Sequence, residues 1–123
     1  MTYLATSINE SPVIVDKAGA QIADVRGRAV KFDENGAVVL CGAGEAPLGI
    51  GIMTNDENIE VGADVDIQIK AMGLAYAGAA IKKGAELEVG ADGVFVPAAD
   101  GKVAAIALQA AEEAGVFITV ILK

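Results

Sequence analysis

The sequence predicts an all-β protein: a small barrel or sandwich built from two duplicated β-rich halves, with little helix. Three observations predict it. Matched segments recur in the same order at a near-constant spacing, the segments alternate apolar and polar residues, and turn dipeptides separate them. The bulk numbers agree. A chain of 123 residues suffices for one compact core and not for two independent ones. Apolar residues make up 54% but aromatics only 4%, so the apolar mass is Ala, Val, Ile and Leu, and there are 15 glycines. Small side chains with frequent glycine suit closely spaced strands and tight turns.

The duplication is read by alignment. In GRAVKFDENGAVVL (27–40) and GAELEVGADGVFVP (84–97), Gly27 matches Gly84, Val30 matches Leu87, Phe32 matches Val89, and Asn35-Gly36 matches Asp92-Gly93, all at an offset of 57. LGIGIMTNDENIEVGADVDIQIK (48–70) then runs parallel to AAIALQAAEEAGVFITVILK (104–123), with one residue lost and a shorter loop. AGAQIADVRG (18–27) corresponds to AGAAIKKG (77–84) if two residues are dropped. These matches place a single β domain at 18–123, repeated as 18–73 and 74–123. Residues 1–17 form an N-terminal arm and first strand ahead of it, with Ser11-Pro12 leading into Val13–Val15.

Each element follows from local pattern. Asn35-Gly36 and Asp92-Gly93 tolerate positive φ and sit between apolar alternations, so each predicts a hairpin. In 64–71, Val65, Ile67, Ile69 and Ala71 alternate with Asp64, Asp66, Gln68 and Lys70, giving one dry and one wet face. Ala85, Leu87 and Val89 alternate with Glu86 and Glu88 in the same way, placing both glutamates in solvent. Gly73 is expected to bend the chain into a short strand at LAYAG. The Ala- and Glu-rich stretch 107–115 could form at most a short helical turn, since its counterpart reads as a loop.

The last strand departs from simple alternation. Val116, Ile118, Val120 and Leu122 are expected to face the core, yet Phe117 and Ile121 opposite them are also apolar. A strand apolar on both faces is covered on both, by a second layer or by another subunit. Phe117 and Ile121, with Tyr3, Leu4 and Ile8 of the N-terminal arm, are therefore the candidate interface residues of a homo-oligomer, a trimer or a dimer.

Several function classes are excluded by what the chain lacks. A net charge of −8, with Lys82-Lys83 as the longest basic run, is unsuited to nucleic acid or an anionic membrane. No apolar run approaches the ~20 residues of a membrane helix, and the first residues, MTYLATSINESP, do not read as a secretory signal. With no histidine, Ser-His-Asp and Cys-His catalysis are ruled out. Cys41 is the one cysteine, so it reads as a small buried residue, with no internal disulfide and no cysteine zinc site. The stretch 41–51, CGAGEAPLGIG, lacks a phosphate-loop ending and reads as linker. The run Asn55-Asp56-Glu57-Asn58 lacks EF-hand spacing and reads as a solvated loop. No catalytic residue, metal or cofactor is expected, and the chain is not read as an enzyme.

Two binding functions remain as alternatives. Asp16-Lys17-Ala18 matches the context of the modified lysine in a lipoyl carrier, but Lys17 lies before the first copy and not at a hairpin between copies, and Lys70-Ala71-Met72 at the junction has the wrong order for a biotinyl carrier. A small-molecule-binding β-barrel is the other, weakened by the shortage of polar groups at core positions.

With the strands laid out, the sequence resembles the capsid cement, or head-decoration, proteins of tailed phages. The residues that carry the resemblance are a glycine-marked strand entry (Gly84), the Asp92-Gly93 hairpin and the Val103–Ala107 strand. An acidic-alanine loop (Ala110–Gly115) and the apolar terminal strand (Val116–Leu122) complete them. The resemblance covers 18–123 and consists of strand cadence and composition. It implies a small β-barrel or sandwich that oligomerises, is made in the bacterial host cytoplasm and sits on the virion exterior. There it would bind major capsid protein across subunit joints, each interface burying ~1,000 Å² or more. The longer loop at 53–63 and the first dozen residues depart from the pattern.

Overall fold

The computed structural model describes residues 12–123. They form two five-stranded sheets and one short 3-10 turn. The first sheet contains β1 (Val13–Lys17), β2 (Ala29–Phe32), β3 (Val38–Leu40), β4 (Gly49–Gly51) and β5 (Asp64–Gln68), in the order β1-β5-β4-β2-β3. The second contains β6 (Met72–Tyr76), β7 (Glu86–Val89), β8 (Phe95–Pro97), β9 (Ala105–Ala107) and β10 (Phe117–Leu122), in the order β6-β10-β9-β7-β8. All strand pairs within the sheets are antiparallel. The protein is all-β, as expected, and of the two expected shapes it is the sandwich.

The two sheets have one strand order, with β6 in the place of β1 and each later strand in the place of its counterpart. Their loops use matching hydrogen bonds. Ile22 and Ile59 exchange a backbone pair at 2.9 and 2.8 Å, and Ile81 and Ala111 do so at 2.8 and 2.9 Å. Each sheet curls until the residue after its first strand meets its last strand, at Ala18–Val38 and at Ala77–Phe95. One parallel bridge is not a ladder, so neither sheet closes into a barrel. By strand order the units begin at β1 and β6, ahead of residues 18 and 74. The turn into β6 is made at Ala71, with φ of 69°, while Gly73 lies within the strand.

Alternation sets the core. In β5, Val65 and Ile67 are fully buried, and in β10, Ile118 and Val120 are. With Ala18, Ile22, Val25, Val30, Val38 and Ile59, the β5 pair fills the interior of the first sheet. The second interior gathers Ala77, Ile81, Leu87, Phe95, Ile118 and Val120, and takes in Ala29, Cys41 and Ile50 from the first sheet. Ala29 and Val30, adjacent on β2, are thus both buried because β2 is covered on both faces. β4 is covered on both faces as well, and so is β7, where Leu87, Glu88 and Val89 are all buried. On the terminal strand, Phe117 and Ile121 remain 38% and 42% exposed.

Three local expectations change. Gly49–Gly51 in the supposed linker is strand β4, and a Cβ on Gly51 would lie 2.2 Å from the Val25 carbonyl oxygen. Glu88 is buried, its carboxylate accepting the Ala99 N–H at 2.6 Å. Asn55 is buried too: its amide donates to the carbonyls of Ile52 and Asp66 at 2.9 and 2.8 Å and accepts the Asp66 N–H at 2.8 Å. Both polar groups are tolerated inside because backbone partners replace water.

The sheets are joined by backbone as well as by core. Tyr76 N–H donates to the Gly27 carbonyl at 2.7 Å, and Gly44 N–H to the Val89 carbonyl at 2.7 Å. Gly27 has φ of 73°, and a Cβ there would sit 2.7 Å from Phe117 Cε1 and 2.9 Å from Tyr76 N. Its counterpart Gly84 has a similar φ of 86° but open space around it. The pair separates backbone strain from crowding at the joint. Gly84→Ala should lower stability by about 1 kcal/mol from the left-handed φ alone. Gly27→Ala should cost a further ~1–3 kcal/mol from overpacking. Urea denaturation of the two variants side by side measures the difference.

Candidate interaction surface

The strands β6, β10 and β9 place a set of apolar side chains on the outer face of the second sheet. In their antiparallel register Met72 pairs with Ile121, Leu74 with Thr119 and Tyr76 with Phe117, while Ile121 also pairs with Ile106. Directly paired residues share a face. Their alternation partners Gly73, Ala75, Ile118 and Val120 lie on the inner side, where Ala75, Ile118 and Val120 are buried. On the outer side Met72 is 61% exposed, and Leu74 and Ile121 are each 42% exposed. Thr119 is the polar member of the face. Its N–H and hydroxyl both bond Gln109 Oε1 at 2.8 Å, so its hydrogen-bonding capacity is largely met within the chain.

Of the interface candidates, Phe117 and Ile121 both lie on this face, at opposite ends of β10. They are not equivalent. Phe117 meets Tyr76 edge to face with centroids 5.3 Å apart, and Arg28 lies 4.5 Å above the same Tyr76 ring. Phe117 is therefore partly spent on the joint between the sheets, whereas Ile121 faces outward beside Met72 and Ile106. Tyr3, Leu4 and Ile8 lie outside the described residues. Met72 and Leu74 were missed by the sequence reading, which started the strand after Gly73. Alternation of Met72, Leu74 and Tyr76 with Gly73 and Ala75 was the available signal.

The matching outer face of the first sheet is wet. Lys17 Nζ lies 2.6 Å from Asp64 Oδ1, Thr54 donates to Asp66 Oδ2 at 3.2 Å, and Val13 and Val15 share the face with them. Gln68 turns its amide to the carbonyls of Lys70 and Met72. By register the Lys17–Asp64 ion pair stands where Tyr76 and Phe117 do, and Asp66 and Gln68 stand where Thr119 and Ile121 do, while Val13 and Val15 occupy the places of Met72 and Leu74.

Chemistry-bearing groups are committed elsewhere. Cys41 is 1% exposed and burial pushes its thiol up to about 11, leaving it without thiolate character at neutral pH. Among the described residues no group of three or more His, Cys, Asp or Glu is placed to hold a metal ion. Lys17 extends from strand β1 and is bonded to Asp64, which differs from a lysine displayed at a hairpin tip.

No family model matches the chain, and no curated protein sequence matches it. A solved structure does, over nearly its whole length. It is the N-terminal base of the head fiber protein gp8.5 of bacteriophage phi29, with a TM-score of 0.69 and 21% identity, covering 90% of this chain and 92% of that one. The chain shares the fold of a phage head-fiber base. At that identity the likeness is one of fold, and it extends through both sheets.

Ion pairs beside the joint give a pH dependence. Hydrogen bonds from the Arg26 side chain hold the Asp24 carboxyl below its ordinary range, and Arg26 also reaches Glu57 at 2.9 Å. Hydrogen bonding to Lys31, then to the Gly42 N–H, lowers Glu45 likewise. A carboxyl depressed on folding contributes stability above its unfolded pKa of about 4 and loses it as pH falls through the lower folded value. The melting temperature should therefore decline below about pH 4. Replacing Asp24→Asn and Glu45→Gln together should flatten part of that decline, as read by thermal melts across pH.

Proposed function

We propose that the chain is a structural component of a phage head, bound to the outside of the capsid as a decoration or cement protein that braces joints between major capsid protein subunits. The observation that carries this reading is the fold shared over 90% of the chain with a protein that is itself the base of a head fiber. The surface supports it. A non-enzymatic brace requires rigid β structure and a dry contact face, and the β6–β10–β9 face provides one. A net charge of −8 suits the exposed remainder to keeping a coated particle soluble.

The other readings have less behind them. A swinging-arm lysine needs a free ammonium at a turn, and Lys17 has Asp64 at 2.6 Å. A small-molecule barrel needs an interior cavity, yet both sheet interiors are filled by side chains. The clefts that remain are open ones, such as that of about 180 Å³ lined by Ile50, Ile52, Met53 and Leu74.

In the intended setting the chain is made in the host cytoplasm and adds to heads after their major capsid protein has assembled. Heads purified from phage lacking the gene should recruit the added protein in a saturable, fixed ratio on co-sedimentation. They should also withstand higher temperature before releasing DNA. Failure to co-sediment at ~10 μM protein, well above the dissociation constants of specific protein interfaces, would overturn the assignment.

A further inference from the structure

We propose that Asp16 and Glu86 are caps: they stop the joint between the two sheets from being repeated between copies of the chain. The inference is read from how the sheets meet and does not rest on the capsid reading.

The joint is directional. The first unit presents β2 and β4, whose Ala29 and Ile50 are 0% and 1% exposed because they enter the core of the second. The second unit receives them beside β6, where Ala75 belongs to the same buried cluster and the Tyr76 N–H donates to the Gly27 carbonyl at 2.7 Å. Because the sheets share one strand order, each unit has both kinds of surface. The second therefore keeps an unused presenting surface on β7 and β9, and the first an unused receiving surface on β1. A surface that meets its complement, and not its like, builds rings or open filaments when copies associate.

Strand register identifies what prevents this. Ala29 pairs with Ile50 as Glu86 pairs with Ile106, so at the free presenting end a glutamate takes the place of a buried alanine. Ala75 pairs with Ile118 as Asp16 pairs with Val65, so at the free receiving end an aspartate takes the place of another. Asp16 also blocks the backbone. Tyr76 pairs with Phe117 as Lys17 pairs with Asp64, which makes the Lys17 N–H the counterpart of the N–H that bonds Gly27 across the joint. Asp16 Oδ1 accepts that N–H at 2.8 Å, so the donor is already used within its own chain.

The remainder of the presenting surface is intact. Ile106 repeats the isoleucine of Ile50, and Gly84 repeats the glycine of Gly27, with φ of 86° against 73°. Gly27 is crowded by Phe117 and Tyr76, whereas a Cβ on Gly84 would meet nothing, as befits a joint residue with no unit against it. A second copy docked there would carry Glu86 of one chain and Asp16 of the other into one apolar cluster. Two like charges would then be desolvated together. Terminal units of repeat arrays carry polar outer surfaces for the same reason.

Removing both caps tests this. The full chain carrying Asp16→Ala and Glu86→Ala should form a ladder of dimers, trimers and longer species that lengthens with concentration, read by sedimentation velocity over ~1–500 μM. Wild-type protein should show no such series, each carboxylate weakening the contact about a hundredfold or more. Asp56→Ala with Glu113→Ala removes the same charge from exposed loops and should sediment as wild type. Adding Ile106→Lys to the uncapped variant should abolish the ladder, because Ile106 would take the buried place of Ile50. Should Asp16→Ala fail to fold by circular dichroism, Asp16→Val, a better strand former, supplies the same test. A folded uncapped variant that stays at wild-type size would overturn the proposal. So would a ladder that the loop variant forms equally, or one that survives Ile106→Lys.

Discussion

The second sheet cannot complete its interior alone, and the rest of the structure depends on how that shortage is met. A β unit of fifty-odd residues has too little volume for its surface, and here half of the twelve residues it gives to the second core are alanine: Ala75, Ala77, Ala104, Ala105, Ala107 and Ala111. The first sheet supplies what is missing. Ala29, Cys41 and Ile50 project from β2, from the end of β3 and from β4 into the cluster of their neighbour. Contact at that distance requires backbone to approach backbone, which is why Gly27 faces Phe117 and Gly44 donates to Val89. The two sheets share one strand order, and burial of one face of the first against the second makes them a single body.

That arrangement frees the remaining outer faces to diverge. On β1 and β5 the side chains pair ions with one another at the surface. On β6 and β10 they present hydrocarbon, and the N–H and hydroxyl of Thr119 are both bonded to the exposed Gln109. Surface ion pairs such as Lys17–Asp64 add little to stability, so the difference is one of recognition: a wet face that stays in solvent and a dry face that gains from being covered.

Much of this was legible in the sequence because it depends on short-range pattern. The Asn35-Gly36 and Asp92-Gly93 dipeptides mark the two equivalent hairpins, and Val65 with Ile67, or Ile118 with Val120, alternate cleanly into the core. What escaped depends on partners distant in sequence. Glu88 looks solvated until the Ala99 N–H is placed beside it, and Asn55 until Asp66 is. Ile50 sits between two glycines in a stretch that resembles a linker, and only the second sheet makes it core. β1 and β6 escaped matching for another reason: VIVDK and MGLAY fill the same place in their sheets while sharing little beyond alternation. Of the interaction surface, Phe117 and Ile121 were visible in the terminal strand, whereas Met72 and Leu74 became part of it only through their register with β10.

If the second sheet depends on the first for its core, neither can melt by itself. Differential scanning calorimetry of the full chain tests this most directly. One transition, whose calorimetric enthalpy equals its van't Hoff enthalpy, is the predicted result. Two resolved transitions, one for each sheet, would show that the halves are independently stable and would contradict it.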